Sequence, residues 1–137
     1  MNLKFGKNQI VFRLRGLMDN EYLIYARIFM YDNSLPQKFV ISDIDGTITR
    51  SDVLGHLMPF VGRDWSHIGI CEFYTNLSKN NYNILYLTAR NYAQAYKTLK
   101  YLNSVKQKNF SLPEGPLILS PESLYQAFKR EMIIGIF

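Results

Sequence analysis

The chain has 137 residues, 47% of them apolar and 15% aromatic, which is enough to bury the core of one ordinary domain. Sixteen basic against eleven acidic side chains leave +5, a balance that favours anionic partners (phosphate compounds, acidic lipid surfaces, nucleic acid) without choosing among them. The lone cysteine, Cys71, excludes a disulfide framework or a cysteine zinc site and suits a reducing, cytosolic compartment; the opening MNLKFGKNQIVFRLRG lacks a signal-peptide core, and no stretch approaches the roughly 20 apolar residues that span a bilayer.

Two early segments alternate with period two. NQIVFRLR places Ile10, Phe12 and Leu14 on one face, and YLIYARIFMY places Leu23, Tyr25, Phe29 and Tyr31 opposite Tyr22, Ile24, Ala26, Ile28 and Met30. Gly16, Asp19 and Asn20 between them supply turn chemistry, so the pair reads as an antiparallel hairpin. Two strands alone are marginal and must pack on the rest of this chain or on strands of a larger protein. The polar, proline-bearing DNSLPQK then marks a boundary, dividing residues 1–35 from 36–137.

Beyond it the pattern becomes strand, helix, strand, helix. FVISD is a short β-rich run, and SDVLGHLMPFV repeats apolar residues at helical spacing. SHIGICEFYTNLSKN places Ile68, Cys71 and Phe73 near one stripe. YNILYLT is a second buried strand, and a helix around YAQAYKTLKYLN carries Tyr92, Ala95, Tyr96 and Leu99 on one side. GPLILS is a third strand, and SPES opens a last helix with Ser120 as N-cap and Pro121 at the first helical position. This rhythm predicts an α/β domain with a parallel sheet covered on both faces, its ligands bound beyond the carboxyl ends of the strands.

VISDIDGTITRSD lies at such an end. A strand opening there lets Asp43 and Asp45 enter one crevice while Ile44 turns back to the apolar layer. Two carboxylates so placed suit a nucleophile and a separate proton carrier: one attacks phosphorus, the other protonates the leaving oxygen and later activates water. Gly46 allows a tight turn whose amides approach phosphate oxygens, and Thr47 adds a hydroxyl. A magnesium ion would offset the repulsion between carboxylate and phosphate. A carboxylate-lined turn or a calcium-type loop is the plainer alternative.

Asp-x-Asp-Gly-Thr after a strand resembles the first motif of the haloacid-dehalogenase-like phosphatases, and Thr88 in LYLTAR falls where that family carries a phosphoryl-binding Ser or Thr. The ordered series NLKFGKNQIVFRL, VISDIDGTITRSDVLGH, DWSHIGICEFY, ILYLTAR and LPEGPLILSPESLYQAFKRE is similar to the lipin-type phosphatidate phosphatases across nearly the whole chain. The resemblance implies a partial haloacid-dehalogenase-like Rossmannoid sheet preceded by a hairpin from an immunoglobulin-like sandwich. It further implies a magnesium-dependent enzyme that converts phosphatidate to diacylglycerol, with Asp43 as nucleophile, Asp45 as acid and base, both as metal ligands, and Gly46, Thr47 and Thr88 on the substrate. Phosphatidate or an anionic membrane surface, rather than nucleic acid, is the implied partner, at the endoplasmic reticulum or nuclear envelope.

The family also uses a downstream basic residue and a downstream acidic metal ligand. REMIIGIF does not match their setting, and Lys129 and Arg130 do not align with the motif-three lysine. The chain is therefore expected to be the middle of such a region, with impaired turnover and FVIS left as an edge that invites either aggregation or strands from a partner chain. The rival expectation is a phosphatidate-binding module without catalysis. His56 and His67 lack a spaced metal partner and read as structural or surface residues. Arg90 suits a phosphate contact and a helix-start or surface arginine equally.

Overall fold

Alternating β-branched and aromatic residues on either side of the polar turn pair as expected, β1 (Gly6–Arg15) running antiparallel to β2 (Glu21–Met30) in a register from Gly6↔Met30 to Arg15↔Glu21. The computed structural model describes residues 2–16, 20–50 and 66–121. Of the turn residues, Asp19 lies outside these, while the Gly16 amide donates to the Asn20 carbonyl at 2.8 Å. Register places Ile10, Phe12 and Leu14 opposite Ala26, Ile24 and Tyr22 on one face. Phe12, Leu14, Tyr22 and Ile24 are all exposed. A two-stranded ribbon with an uncovered apolar face is marginal in water, so this hairpin calls for cover. In the connection after it, Asp32 Oδ1 accepts from both the amide and the hydroxyl of Ser34, at 2.9 and 2.7 Å.

The chain divides into two units, Met1–Gln37 and Lys38–Phe137. In the second, β3 (Lys38–Asp43) is followed by α1 (Ile70–Lys79), β4 (Tyr82–Asn91), a 3₁₀ turn (Tyr92–Gln94), α2 (Ala95–Ser104), the short antiparallel pair β5 (Lys106–Gln107) and β6 (Phe110–Ser111), and β7 (Leu117–Ser120). The three long strands form a parallel sheet in the order β3-β4-β7. β4 is central and β3 is an edge among the described residues. The β5–β6 pair was not anticipated.

Period two sorts each strand. Val40 and Ser42 of β3 and Ile84 and Tyr86 of β4 face a core completed by Ile44, Ile48, Cys71, Tyr74, Leu102, Val105 and Leu112. Phe39, Ile41, Leu87 and Ile118 lie on the other face and are exposed, Ile41 by 64%. The expected second covering layer has no counterpart among the described residues; the helix read over residues 51–61 and most of the one read from Ser120 lie outside them. No described helix is long and apolar enough to cross a membrane.

Both described helices depart from the expected apolar stripes. Ile68 precedes α1 and is 90% exposed, and Phe73 is exposed; Cys71 and Tyr74 are the buried positions. Phase is set by where the helix begins and what its polar atoms reach. Gln107 Oε1 accepts from the Gly69 and Cys71 amides at 3.0 and 3.4 Å and holds the first turn, while Tyr74 reaches Ser42 on β3 at 2.5 Å. In α2, Thr98 and Leu102 face inward, whereas Tyr92 and Tyr96 are exposed, Tyr96 by 76%.

The approach of β7 to β4 depends on Gly115. A Cβ there would stand 2.0 Å from the Ile84 carbonyl oxygen, so only glycine permits this crossing. The neighbouring Pro116 carbonyl accepts from the Tyr86 amide at 2.9 Å, and the Tyr86 hydroxyl donates to the Pro113 carbonyl at 2.7 Å. These contacts bring the Pro113–Pro116 segment against the middle of the sheet.

Candidate active site

The site forms where β3 ends. Ser42 is buried; its hydroxyl lies 3.0 Å from the Asp43 carbonyl oxygen, to which it donates, and 2.5 Å from the Tyr74 hydroxyl. This ties the strand's last residue to α1. Asp43 alternates to the opposite side and is exposed, while Ile44 is fully buried, as the opening strand end led one to expect.

After Ile44 the backbone closes on itself. The Ile44 carbonyl accepts from the amides of Ile48 and Thr49, at 3.0 and 2.9 Å, and from the Thr49 hydroxyl at 3.3 Å. Gly46 adopts φ 87°, the left-handed conformation that disfavours side chains. Its amide donates to Thr49 Oγ1 at 3.1 Å, which commits that N–H to the loop rather than to a phosphate oxygen. Thr49 is buried and serves as the keystone of this turn, a role the sequence reading missed. Thr47 is exposed at the loop surface.

Asp45 has a different environment from Asp43. Only 11% of its side chain is exposed, and both carboxylate oxygens are engaged. Arg90 Nε donates to Oδ2 at 3.0 Å and an Arg90 terminal nitrogen to Oδ1 at 2.5 Å, a two-pronged ion pair, while the Thr88 hydroxyl donates to Oδ2 at 3.0 Å. Arg90 is 5% exposed and its other terminal nitrogen donates to Thr98 Oγ1 on α2 at 3.3 Å. Breaking such a pair from one side strands a buried charge, at a cost of about 3–5 kcal/mol.

Thr88 is 3% exposed, and its single hydroxyl proton goes to Asp45 while its oxygen accepts from the Arg90 amide at 3.1 Å. The hydroxyl expected on the transferring phosphoryl thus meets the second carboxylate instead in this state. Arg90, left open between phosphate and surface, is buried against Asp45. A signal for this existed in the sequence: Ile84, Tyr86, Thr88 and Arg90 share one strand parity, so Arg90 had to point inward with its neighbours. Thr98 carried no such signal.

The geometry separates the two aspartates by availability. Asp43 presents an open carboxylate at the strand end, whereas both oxygens of Asp45 are taken up by Arg90 and Thr88. Among the described residues no group of three or more His, Cys, Asp or Glu side chains could hold a metal ion. Magnesium characteristically needs only one or two carboxylates with water and substrate oxygens, and Asp43 fits that use. Asp45, turned onto a guanidinium, does not offer its carboxylate to a cation in this arrangement. His67 is exposed, and His56 lies outside the described residues.

The described residues thus form a parallel α/β sheet with two aspartates at the carboxyl end of one edge strand. A family model described as LNS2 (Lipin/Ned1/Smp2) matches residues 1–135, and the chain belongs to that family. It is 44% identical over 98% of its length to nuclear elongation and deformation protein 1 of Schizosaccharomyces pombe, covering 20% of that protein. It is 42% identical to phosphatidic acid phosphohydrolase 1 of Saccharomyces cerevisiae over 98% of its length, and 43% identical to phosphatidate phosphatase LPIN1 of Homo sapiens over 97%, covering 15% of each relative. The chain thus spans a fifth or less of these curated relatives.

Proposed function

We propose that this chain carries the nucleophile-bearing part of a lipin-type phosphatidate phosphatase. The observation behind the reading is the pairing of an open Asp43 with an immobilised Asp45 on one strand-end loop, in a chain similar to proteins named phosphatidic acid phosphohydrolase 1 and phosphatidate phosphatase LPIN1. A carboxylate oxygen of Asp43 attacks phosphorus as the bond to the glyceryl oxygen breaks, giving an aspartyl phosphate. Asp45, released from Arg90 and carrying a proton, delivers it to the departing oxygen. It then takes a proton from the water that attacks the aspartyl phosphate, releasing phosphate and restoring Asp43. Magnesium held by Asp43, when bound, would neutralise charge between carboxylate and phosphate. Gly46 and Thr47, on the exposed rim of the loop, border the phosphate.

Further elements of this reading rest on family membership. The parallel sheet belongs to a haloacid-dehalogenase-like domain, and the hairpin supplies strands to an immunoglobulin-like sandwich, which is how its apolar face is covered. The substrate is met peripherally, at an anionic membrane surface such as the endoplasmic reticulum or nuclear envelope.

The experiment is magnesium-dependent phosphate release from phosphatidate in detergent micelles, by the full chain beside its Asp43→Asn variant. Release above the variant supports the enzyme reading. Equal release sinks it, and retention on phosphatidate vesicles by both proteins would then favour a binding module.

A further inference from the structure

The two faces of α2 differ in character. Inward, Thr98 accepts from Arg90 beside the Asp45 loop, and Leu102 joins the core. Outward, Tyr92 in the 3₁₀ turn, Tyr96 and Lys100 recur every four residues, and all three are exposed. The fold buries neither ring, and tyrosine is a poorer helix former than alanine or lysine, so local stability does not call for this stripe. Charge points the same way. No aspartate or glutamate occurs between Glu72 and Glu114, while that stretch holds five lysines and Arg90. Asp45 takes up the charge of Arg90, but no acid within the stretch offsets the lysines. Tyr92 directly follows Asn91, the last residue of β4, so the stripe begins at the carboxyl edge of the parallel sheet, where β3 delivers Asp43.

From these observations we infer that the outer face of α2, carrying Tyr92, Tyr96 and Lys100, is a surface by which the chain lies on an anionic lipid bilayer. A tyrosine ring suits the headgroup level because it is apolar with one polar tip. A lysine beside it lays its stem along the surface while its ammonium meets the lipid anions. Each lysine near such a surface strengthens attachment about fivefold, an effect that fades within a Debye length. The inference deepens the phosphatase reading, in which the substrate is a lipid: a stripe that starts at the carboxyl edge holds that edge of the sheet near the headgroups. The surface reads charge and depth, and the phosphate monoester is left to the aspartate loop, so phosphatidylserine serves the stripe as well as phosphatidate.

The test is sedimentation of the full chain with vesicles of phosphatidylcholine alone, of phosphatidylcholine with phosphatidylserine, and of phosphatidylcholine with phosphatidate, at low and at raised salt. The variants are Tyr92→Ser/Tyr96→Ser, Lys100→Glu and Asp43→Asn, with Lys4→Glu in the hairpin unit as the same charge change at an exposed site elsewhere. Circular dichroism checks that each variant keeps its secondary structure, which substitutions at exposed positions should not disturb. Phosphate release is measured in parallel from phosphatidate in vesicles and from a short-chain phosphatidate dissolved as monomers.

The wild type should sediment with both anionic compositions, stay in solution with phosphatidylcholine alone, and be released by salt. Lys100→Glu should weaken retention on the order of tenfold and the double tyrosine variant severalfold, while Lys4→Glu stays within about twofold of wild type. Asp43→Asn should be retained like the wild type. The tyrosine variant should release phosphate more slowly from vesicles and at the wild-type rate from the dissolved substrate. Failure of the wild type to bind either anionic vesicle would overturn the inference, as would equal retention of the stripe variants or an equal loss in Lys4→Glu. Retention on phosphatidate but not on phosphatidylserine would also overturn it, by assigning attachment to a headgroup site. Stripe-dependent retention without any Asp43-dependent phosphate release would uphold the surface and sink the phosphatase reading alone.

Discussion

Thr88→Val tests the central contact of the site without changing its shape. Valine replaces the hydroxyl by a methyl group, removing the donor to Asp45 Oδ2 at 3.0 Å and the acceptor for the Arg90 amide at 3.1 Å. The position is buried, so water does not take over either contact. A hydrogen bond to a charged group contributes about 1.5–3 kcal/mol and a neutral one about 0.5–1.5. Arg90 Nε still reaches Oδ2, which offsets part of the loss, and the net cost should be about 2–3 kcal/mol. Thr88→Ser keeps both contacts and loses only a methyl group, about 1 kcal/mol. Urea unfolding followed by circular dichroism should therefore rank wild type above serine above valine, with valine shifted by about 1–2 M in midpoint. On the proposed phosphatase reading, phosphate release from phosphatidate should fall in the same order, because valine loosens the contacts that hold the aspartate loop to β4. If Thr88 serves the transferring phosphoryl and not Asp45, valine would match the wild type in stability and raise only KM. That result would refute the account of the clamp.

Gly115→Ala should be far more damaging than Gly69→Ala, although both replace glycine by alanine. The first forces a Cβ to 2.0 Å from the Ile84 carbonyl oxygen, where strand backbone cannot yield, and should cost more than about 3 kcal/mol; the second meets nothing within 4 Å and strains only a φ of 83°, about 1–2 kcal/mol. Thermal melts of the two variants should differ clearly, and equal midpoints would refute the close β4–β7 approach. Tyr74→Phe removes the hydroxyl bound to Ser42 beneath Asp43 and should lower stability by about 1–2 kcal/mol with secondary structure unchanged; a neutral result would mean that α1 is held by apolar packing alone. Burial, with Tyr74 and Cys71 close by, pushes the Tyr86 phenol above its ordinary range. The fold therefore favours the neutral phenol: this contribution is fully present below the unfolded value of about 10 and is lost as pH rises through the folded one. Urea midpoints should drop above about pH 10, less steeply in Tyr86→Phe. An identical alkaline slope in that variant would assign the effect elsewhere.

Much of the described fold was legible in the sequence because it depends on local rules. Strict alternation over Ile10–Leu14 and Tyr22–Met30 with turn residues between specifies a hairpin, whatever it later packs against. The apolar runs FVISD, YNILYLT and GPLILS, each interrupted by helical spacing, specify parallel strands, and an Asp-x-Asp-Gly-Thr loop follows the first. Ile44 turned inward between two polar neighbours for the same reason of period two.

Tertiary structure alone decided the rest. Helix phase was misread because Ile68, Phe73, Tyr92 and Tyr96 count as apolar in any sequence pattern. Which side of a helix faces the core depends on where it starts and on a few polar contacts, Gln107 to the first turn of α1 and Thr98 to Arg90, that connect distant residues. The role of Arg90 was hidden likewise. Its carboxylate partner lies 45 residues earlier in the chain, and a charged side chain is buried only where an opposite charge has been folded into place beside it. The sequence by itself determined that two aspartates stand at a strand end; only the packing of β4 and α2 decided that one is open and the other clamped, since that difference is made of long-range hydrogen bonds.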